Sequence, residues 1–301
     1  MKLVSTPSYR SIDRNAARAP KRARALANYL PMGFVGVFAL LALGVWLGLW
    51  ASGWREITGP AWAGPSIDHW FGTNQIGQDI LARSLQSIAA AFEVGLVVGV
   101  GAALLGLVVG AMAGYFYEGW IDELLLWLTG CFESVPYYLL MGAVLFALGG
   151  VSGALQLAMI LSFWPAVARV VRVRVVILRA ENFITAARVS GSHPLRIVCK
   201  HVIPHLYDLT LVQVTLLFVA AIKTQVVLSF IGLAGSDSIS FGRMLAEAAS
   251  DLLAGQYQNF TVASVLLFLL VWSMNQLGDQ LQAAVDPRRP GRFLRRRLDL
   301  M

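Results

Sequence analysis

Six long apolar segments divide this 301-residue chain and constrain its fold more than any other feature of the sequence. They cover residues 29–51, 89–114, 121–148, 153–177, 206–231 and 259–282. Each is close to the ~20 residues that an α-helix needs to cross a bilayer, and each is too long and continuous for a barrel strand. Because lipid offers no hydrogen-bond partners, only helices can satisfy the backbone of such segments. The sequence therefore predicts an all-α integral membrane protein with six transmembrane helices.

Basic residues predict how these helices are oriented. Most of the 24 Lys and Arg residues lie in three blocks, at the N-terminus, between Arg169 and Lys200, and between Arg288 and Arg297. The excess of positive charge on cytoplasmic loops then places both termini and the segment 181–206 in the cytoplasm of a multi-pass inner-membrane protein. Since the blocks alternate with apolar runs, membrane topology explains them better than a nucleic-acid partner, and the tails are expected to meet anionic lipids.

This orientation divides the chain into five parts. They are a cytoplasmic basic tail (1–28), a first transmembrane helix (29–51), an external loop (52–88), a five-helix core (89–282) and a second basic tail (283–301). No small-residue cleavage site follows the first apolar run at the usual spacing, so this run is expected to be a retained anchor. In the external loop, Thr73 or Asn74 is predicted to cap the following helix.

Two local patterns describe the helices of the core. Glycines recur at every fourth position in the second segment, as Gly95-x3-Gly99 and Gly106-x3-Gly110-x3-Gly114, which favours close helix packing in the middle of a bundle. Pro136 lies inside the third segment, where a missing N–H must bend the helix.

The segment 181–206 is polar and basic, yet its apolar residues have helical spacing. They flank Gly191 on both sides: Phe183, Ile184, Ala187 and Val189, then Leu195, Ile197, Val198 and Val202. This spacing predicts two short amphipathic helices joined by a glycine elbow and closed by Pro204. Periodicity alone leaves open whether this element contacts a protein or lies on lipid headgroups with its basic side chains held by phosphate.

Several strings place the chain near a known family. GTNQIGQDILAR, ESVPYYLL, LSFIGL, FGRMLAEA and LGDQLQAAVDPR occur in the expected order, and residues 185–204 are similar to a cytoplasmic E-A-A motif. Together they resemble the C-type permease subunits of dipeptide, oligopeptide and nickel ABC importers. The resemblance implies the type I importer permease fold and the import of di- or oligopeptides. Permeases of the same family for nickel, opines or modified and antimicrobial peptides are the alternative.

The resemblance also implies partners and a coupling role for the segment 181–206. The partners are a second homologous permease, two cytoplasmic ATP-binding subunits and an external substrate-binding protein. The residues expected to couple this chain to the ATPase are Thr185, Ala186, Ala187, Arg188, Gly191, His201, Ile203 and Pro204. Because the sequence has no G-x-x-x-x-G-K-[ST] loop, ATP and Mg²⁺ are expected in the partner subunits, and this chain is not expected to be an enzyme or to hold a cofactor.

Some residues depart from the family pattern. Thr185 stands where Glu is usual, Asn74 and Gln78 where Asp and Arg are common, and Gln225 where Glu is frequent, while residues 127–130 lack an expected Arg and Asp. We interpret these departures as altered substrate or subunit contacts. Glu181, one helical turn before Thr185, is a candidate source of the missing acid.

Three charges fall within apolar segments, where a charge costs at least ~2.5 kcal/mol. Glu93, Glu133 and Lys223 are therefore candidates for the transport pathway, where Lys223 could meet a substrate carboxylate. The alternative, an ion pair within the chain or a contact with the second permease, remains open at this stage.

Other function classes have less support. A membrane enzyme needs a convergent acid, base or nucleophile set, and a secondary carrier more often has inverted repeats; neither pattern is found. No zinc-binding spacing links His193, Cys199, His201 and His205, so no metal site is predicted. Cys131 and Cys199 are expected to be reduced.

Overall fold

The structure of the chain is a computed structural model that describes residues 21–149, 151, 153–234 and 239–285. These residues form helices and loops, with one isolated bridge between Thr73 and Asp79. The helices are α1 (Lys21–Trp46), α2 (Ile80–Tyr115), α3 (Trp120–Glu133), α4 (Tyr137–Ala147), α5 (Ala154–Arg179), α6 (Asn182–Val189), α7 (Pro194–Ile197), α8 (Tyr207–Phe230), α9 (Phe241–Leu253) and α10 (Gln258–Val285). A π turn (Val198–Val202) and a 3₁₀ turn (Ile203–Leu206) join α7 to α8.

Five helical stretches are long and apolar enough to cross a membrane: α1, α2, α5, the continuous stretch from α7 through α8, and α10. The pair α3 and α4 makes a sixth span if its two helices, which are bent by 86°, are counted together. The bend lies at Ser134–Pro136, where the sequence predicts it, because Pro136 cannot donate a backbone hydrogen bond to continue α3. The all-α membrane fold is thus confirmed.

Helix α2 lies in the middle of the bundle, between α5 and α8, because its glycines remove the side chains that would separate the backbones. A Cβ atom on Gly106 would lie 2.8 Å from the carbonyl oxygen of Trp164, and one on Gly114 would lie 2.7 Å from that of Arg172. A Cβ atom on Gly110 would overlap the carbonyl oxygen of Ala168. The close packing predicted from the glycine repeat is therefore confirmed.

The two ends of the bundle differ in chemistry. We call residues 115–122 and 169–206 the basic end, and residues 52–83 and 239–259 the loop end. At the loop end, Glu247 of α9 forms ion pairs with Arg83 and, at 3.0 Å, with Arg243. Asp251 accepts hydrogen bonds from Trp62 Nε1 at 2.9 Å and from Asn259 Nδ2 at 3.0 Å, so a polar network joins the loop to α9 and α10.

Several boundaries differ from the sequence prediction. Helix α2 begins at Ile80, inside the predicted external loop 52–88, and α1 begins at Lys21, inside the predicted tail 1–28. Asp79 caps α2 by accepting a hydrogen bond from the Leu81 N–H at 3.0 Å, so the capping role predicted for Thr73 or Asn74 is wrong. The predictions for residues 1–20 and 286–301 lie outside the described residues.

Candidate functional site

The first half of the segment 181–206 is α6 and the turn that ends it. The N–H of Ser192 donates to the Ala187 oxygen at 3.2 Å, and the N–H of Gly191 donates to the Arg188 oxygen at 3.0 Å. These two bonds form a Schellman motif, in which the residue after the helix adopts a left-handed conformation. Gly191 has φ +76°, which a residue with a side chain adopts only with strain. Its predicted role as the elbow is therefore confirmed in its geometry.

The sequence pattern predicts that the second half ends at Pro204, but in the structure it does not end there. Instead α7 continues through the π turn and the 3₁₀ turn into α8. The Ile203 N–H donates to the Val198 oxygen, five residues back, and this wider turn is compatible with the missing N–H of Pro204. The segment after Gly191 is consequently joined to a transmembrane helix without an intervening loop.

Apolar residues anchor the segment 181–206 beneath its surface. Those buried against α2 and α5 are Ile184, Ile197, Val198, Val202 and Leu206. Their neighbours in the same core include Val171, Val175 and Leu178 of α5. Burial of a side chain of this size stabilises by about 1.5–3 kcal/mol, so the anchor holds the segment firmly against the bundle.

The outer surface of the segment carries apolar side chains that the chain itself does not cover. Val189 is 84% exposed and Leu195 is 49% exposed. Both belong to the apolar pattern of the segment, but they lie outside its buried core, because α6 ends at Val189 and Pro194 starts a new helix. Ala186, Thr185 and Arg188 are exposed beside them. We call Thr185, Ala186, Val189 and Leu195 the outer patch.

Ion pairs and hydrogen bonds of charged residues join the neighbouring helices at the basic end. Arg172 binds Asp122 through two hydrogen bonds of 2.7 and 2.8 Å, and the Glu118 N–H donates to the same carboxylate at 3.0 Å. Arg179 Nη1 donates to the carbonyl oxygens of Tyr115 and Tyr117 at 3.3 and 3.2 Å, where the C-terminus of α2 attracts positive charge. These roles are not visible in the sequence, where Arg172 and Arg179 indicate only orientation, because their partners are on other parts of the chain.

The remaining predicted coupling residues are spread over the segment. Ala187 and Ile203 are half-buried, while Pro204 is exposed. His201 is half-buried, and its carbonyl oxygen lies 2.7 Å from His205 Nδ1. The His205 ring stacks on Phe183 with 4.7 Å between centroids. Three His, Cys, Asp or Glu side chains do not converge anywhere in the described residues.

The departure at Thr185 is compatible with the local helix. Its Oγ1 donates to the Glu181 carbonyl oxygen at 3.4 Å, and that oxygen also accepts from the Thr185 N–H at 3.2 Å. Glu181 is the N-terminal cap residue of α6, and its side chain is exposed. An acid one turn before Thr185 is therefore available at the N-terminus of α6, where negative charge is favourable.

Comparison with known proteins identifies the family of this chain. Residues 106–290, more than half of the chain, match the binding-protein-dependent transport system inner membrane component. The chain belongs to this family. A dipeptide transport system permease protein from Bacillus subtilis is 30% identical over 74% of this chain and 70% of its own length. An oligopeptide transport system permease protein from Mycobacterium tuberculosis is 33% identical, over 77% and 79%. A glutathione transport system permease protein from Escherichia coli is 34% identical, over 76% and 75%.

The chain is therefore the permease subunit of an ABC importer and a multi-pass membrane protein that works with other transporter components. The resemblance stated from its motifs is confirmed.

At the loop end of this permease, Asn74 and Gln78, the two departures from the motif pattern in this loop, form a neutral pair. Asn74 Nδ2 donates to Gln78 Oε1 at 3.0 Å, and Asn74 Oδ1 accepts from the N–H groups of Ile76 and Gln78 at 3.1 and 2.9 Å. Gln78 Nε2 also donates to the Arg55 oxygen at 3.0 Å. Because both side chains are buried in their own loop, the structure does not support reading these two departures as altered substrate contacts.

Replacing Asn74 by alanine is expected to destabilise the permease by about 1–3 kcal/mol, since the buried Gln78 side chain and two backbone N–H groups lose their acceptor or donor. The measurement is thermal unfolding of the purified protein in detergent. Ser66→Ala is the matched control, because it removes one exposed hydrogen bond to the His69 N–H, 3.1 Å long. Equal effects of the two variants would contradict the role of the pair.

The three charges in apolar segments have different surroundings. Glu133, at the end of α3, forms an ion pair with Arg169 of α5, so the internal-pair reading holds for it. Glu93 on α2 and Lys223 on α8 are exposed, and neither has an ion pair or hydrogen bond to another described residue. Two other residues at which the chain departs from the family pattern also differ in exposure: Gln225 is buried, whereas Trp127 is 67% exposed.

Proposed function

We propose that this permease imports peptides across the cell inner membrane, using ATP hydrolysed by partner subunits. The proposal is supported by the functions of its relatives, which are permeases for dipeptides, oligopeptides and glutathione. ATP and Mg²⁺ bind to those partner subunits, because this sequence has no phosphate-binding loop. The chain itself provides half of a path through the membrane and the contact through which the ATPase moves it.

The proposed assembly has a second homologous permease, two ATP-binding subunits and an external substrate-binding protein. Both termini and the basic end of the permease face the cytoplasm, which the distribution of Lys and Arg supports. The loop end faces outward, towards the binding protein. In this orientation the segment 181–206 projects from the membrane on the side where ATP is available.

The outer patch is the observation that carries the coupling role. Val189 and Leu195 are exposed at an end of the bundle that is otherwise rich in charge, while the residues beneath them are fully buried. These exposed side chains are on an element that is anchored in the bundle, and we infer that the outer patch contacts a protein, since a short helix lying in a groove is a common form of such a contact. Closure of the ATPase dimer on ATP then moves α6 and α7, and α8 moves with them.

Replacing Val189 by aspartate tests this contact. The charge cannot be buried in an apolar groove without a large cost, so Val189→Asp is expected to reduce co-purification of the ATP-binding subunits by about tenfold or more. The measurement is the ratio of ATPase to tagged permease recovered from membranes. Leu253→Asp is the control, because Leu253 is 92% exposed at the opposite end of the bundle.

The two variants separate a specific contact from a general loss of protein. Leu253→Asp is expected to keep the full amount of bound ATPase. Normal ATPase recovery with Val189→Asp would contradict the proposed role of the outer patch, and loss with both variants would show that the aspartate acts on folding.

A further inference from the structure

A cleft inside the membrane region holds a charge that the permease does not neutralise. The cleft has a volume of 580 Å³ and lies between α8, α9 and α10. Its wall is mostly apolar, with Val227 and Phe268 among its residues, and Lys223 is its charged member. Such a volume is within the range of ligand-binding pockets, about 300–1,000 Å³.

Neutral hydrogen-bond donors line the same cleft. Ser264 and Asn275 are on α10, which packs against α8, and their side chains make no hydrogen bond to another described residue. Because these two residues are about 16 Å apart along α10, a single carboxylate cannot contact both, and the Lys223 ammonium group is the charge with which it would pair. The apolar wall suits the body of the molecule that carries this carboxylate.

The depth of Lys223 argues against a resident lipid as the source of the anion. Lys223 is seven residues before Phe230, the last residue of α8, so its Cα lies about 10 Å inside the end of the helix. Lipid phosphates lie outside the hydrocarbon core, whereas a carboxylate carried by a transported molecule passes through it. A charge retained at this depth is typical of a substrate path.

We propose that this cleft is a seat for the carboxylate of the transported peptide, with Lys223 as the charged donor. This inference rests on the proposed function of peptide import and adds a chemical preference to it. The permease then selects for a free carboxyl group after the binding protein has released its cargo. An acidic side chain of the second permease is the competing occupant, and assembly distinguishes it.

The test uses the complete transporter reconstituted in vesicles, with both permeases, the ATPase and the binding protein. Uptake of trialanine is compared with uptake of its C-terminal amide, for the wild type, Lys223→Met and Lys223→Arg. Lys223→Met is expected to lower trialanine uptake about tenfold while changing amide uptake less than about twofold, and Lys223→Arg is expected to keep most uptake of both. For each peptide, uptake by the variant is divided by uptake by the wild type, so that any preference of the binding protein cancels.

With one exception, given last, each other outcome overturns the proposal or the function on which it rests. If Lys223→Met lowers the uptake of both peptides equally, or of neither, a carboxylate seat is excluded. The proposed function of peptide import is not affected by this result. Loss of the second permease from purified Lys223→Met complexes assigns Lys223 to assembly. If the ratio of trialanine uptake to amide uptake changes when anionic lipid is omitted from the vesicles, Lys223 is assigned to lipid binding. A wild-type transporter that takes up neither peptide contradicts the proposed function itself. The exception is a wild-type transporter that takes up trialanine but not its amide. In that case, loss of trialanine uptake in Lys223→Met and its retention in Lys223→Arg support the carboxylate seat.

Discussion

Gly110→Ala is expected to destabilise the permease by about 2–3 kcal/mol, although it adds only one methyl group. That methyl group would overlap the carbonyl oxygen of Ala168, and a backbone oxygen cannot rotate away as the end of a side chain can. Helices α2 and α5 would have to separate along the central contact of the bundle. The measurement is thermal unfolding of the purified protein in detergent, together with the amount of folded protein in the membrane.

Gly130→Ala is the matched control for this prediction. Gly130 also lies inside a helix, α3, but no atom of the described chain lies within 4 Å of the position of its Cβ. The same substitution is therefore expected to be neutral or to stabilise α3 by about 0.5–1 kcal/mol, because alanine has the higher helix propensity. If Gly130→Ala destabilised the protein as much as Gly110→Ala, the effect would not come from the contact between α2 and α5.

Gly191→Trp is expected to lower peptide uptake about tenfold or more while the complete transporter still assembles and hydrolyses ATP. Apart from its immediate neighbours, no described atom of the chain lies within 4 Å of a Cβ at this position, so a side chain has room where it leaves the backbone. Apart from backbone strain, a large functional effect would then come from a partner that approaches the elbow. The measurement is the number of ATP molecules hydrolysed per peptide transported into vesicles.

The backbone at Gly191 requires a separate control, since φ is +76° there and any side chain adds strain. Asparagine adopts this conformation more readily than other residues that have a side chain. Gly191→Asn is therefore expected to retain at least about half of the uptake. Full uptake by Gly191→Trp would refute the coupling role of the elbow, and an equal loss in Gly191→Asn would assign the effect to the backbone.

The membrane helices and their closest contact follow from local sequence rules. Apolar length alone predicts the spans, the four-residue spacing of Gly106, Gly110 and Gly114 predicts the tight packing of α2, and Pro136 predicts the bend. Each of these signals is contained within one helix. The E-A-A-like string likewise predicts where the elbow lies, because only Gly191 adopts the required backbone conformation without strain.

Features that depend on distant residues were not predictable in this way. Arg83 reads as part of an external loop, yet it is buried in α2, where it pairs with Glu247, 164 residues later. The direction of Val189 depends on where α6 stops, and periodicity does not specify the last turn of a short helix. The pairing of Asp122 with Arg172 joins two helices whose relative position no single-helix pattern contains.

The bend between α3 and α4 determines which side of this permease can be in contact with lipid. Near Pro136 the chain leaves the helical path, so polar groups of the main chain are not all paired within a helix at a depth where acyl chains offer no substitute. Broken backbone of this kind is tolerated only against protein or water. The ion pair between Glu133 and Arg169 beside it has the same requirement. If α3 and α4 cross the membrane as one bent span, we therefore expect this side of the bundle to be hydrated or covered by another subunit, with the annulus of lipid around the permease incomplete there.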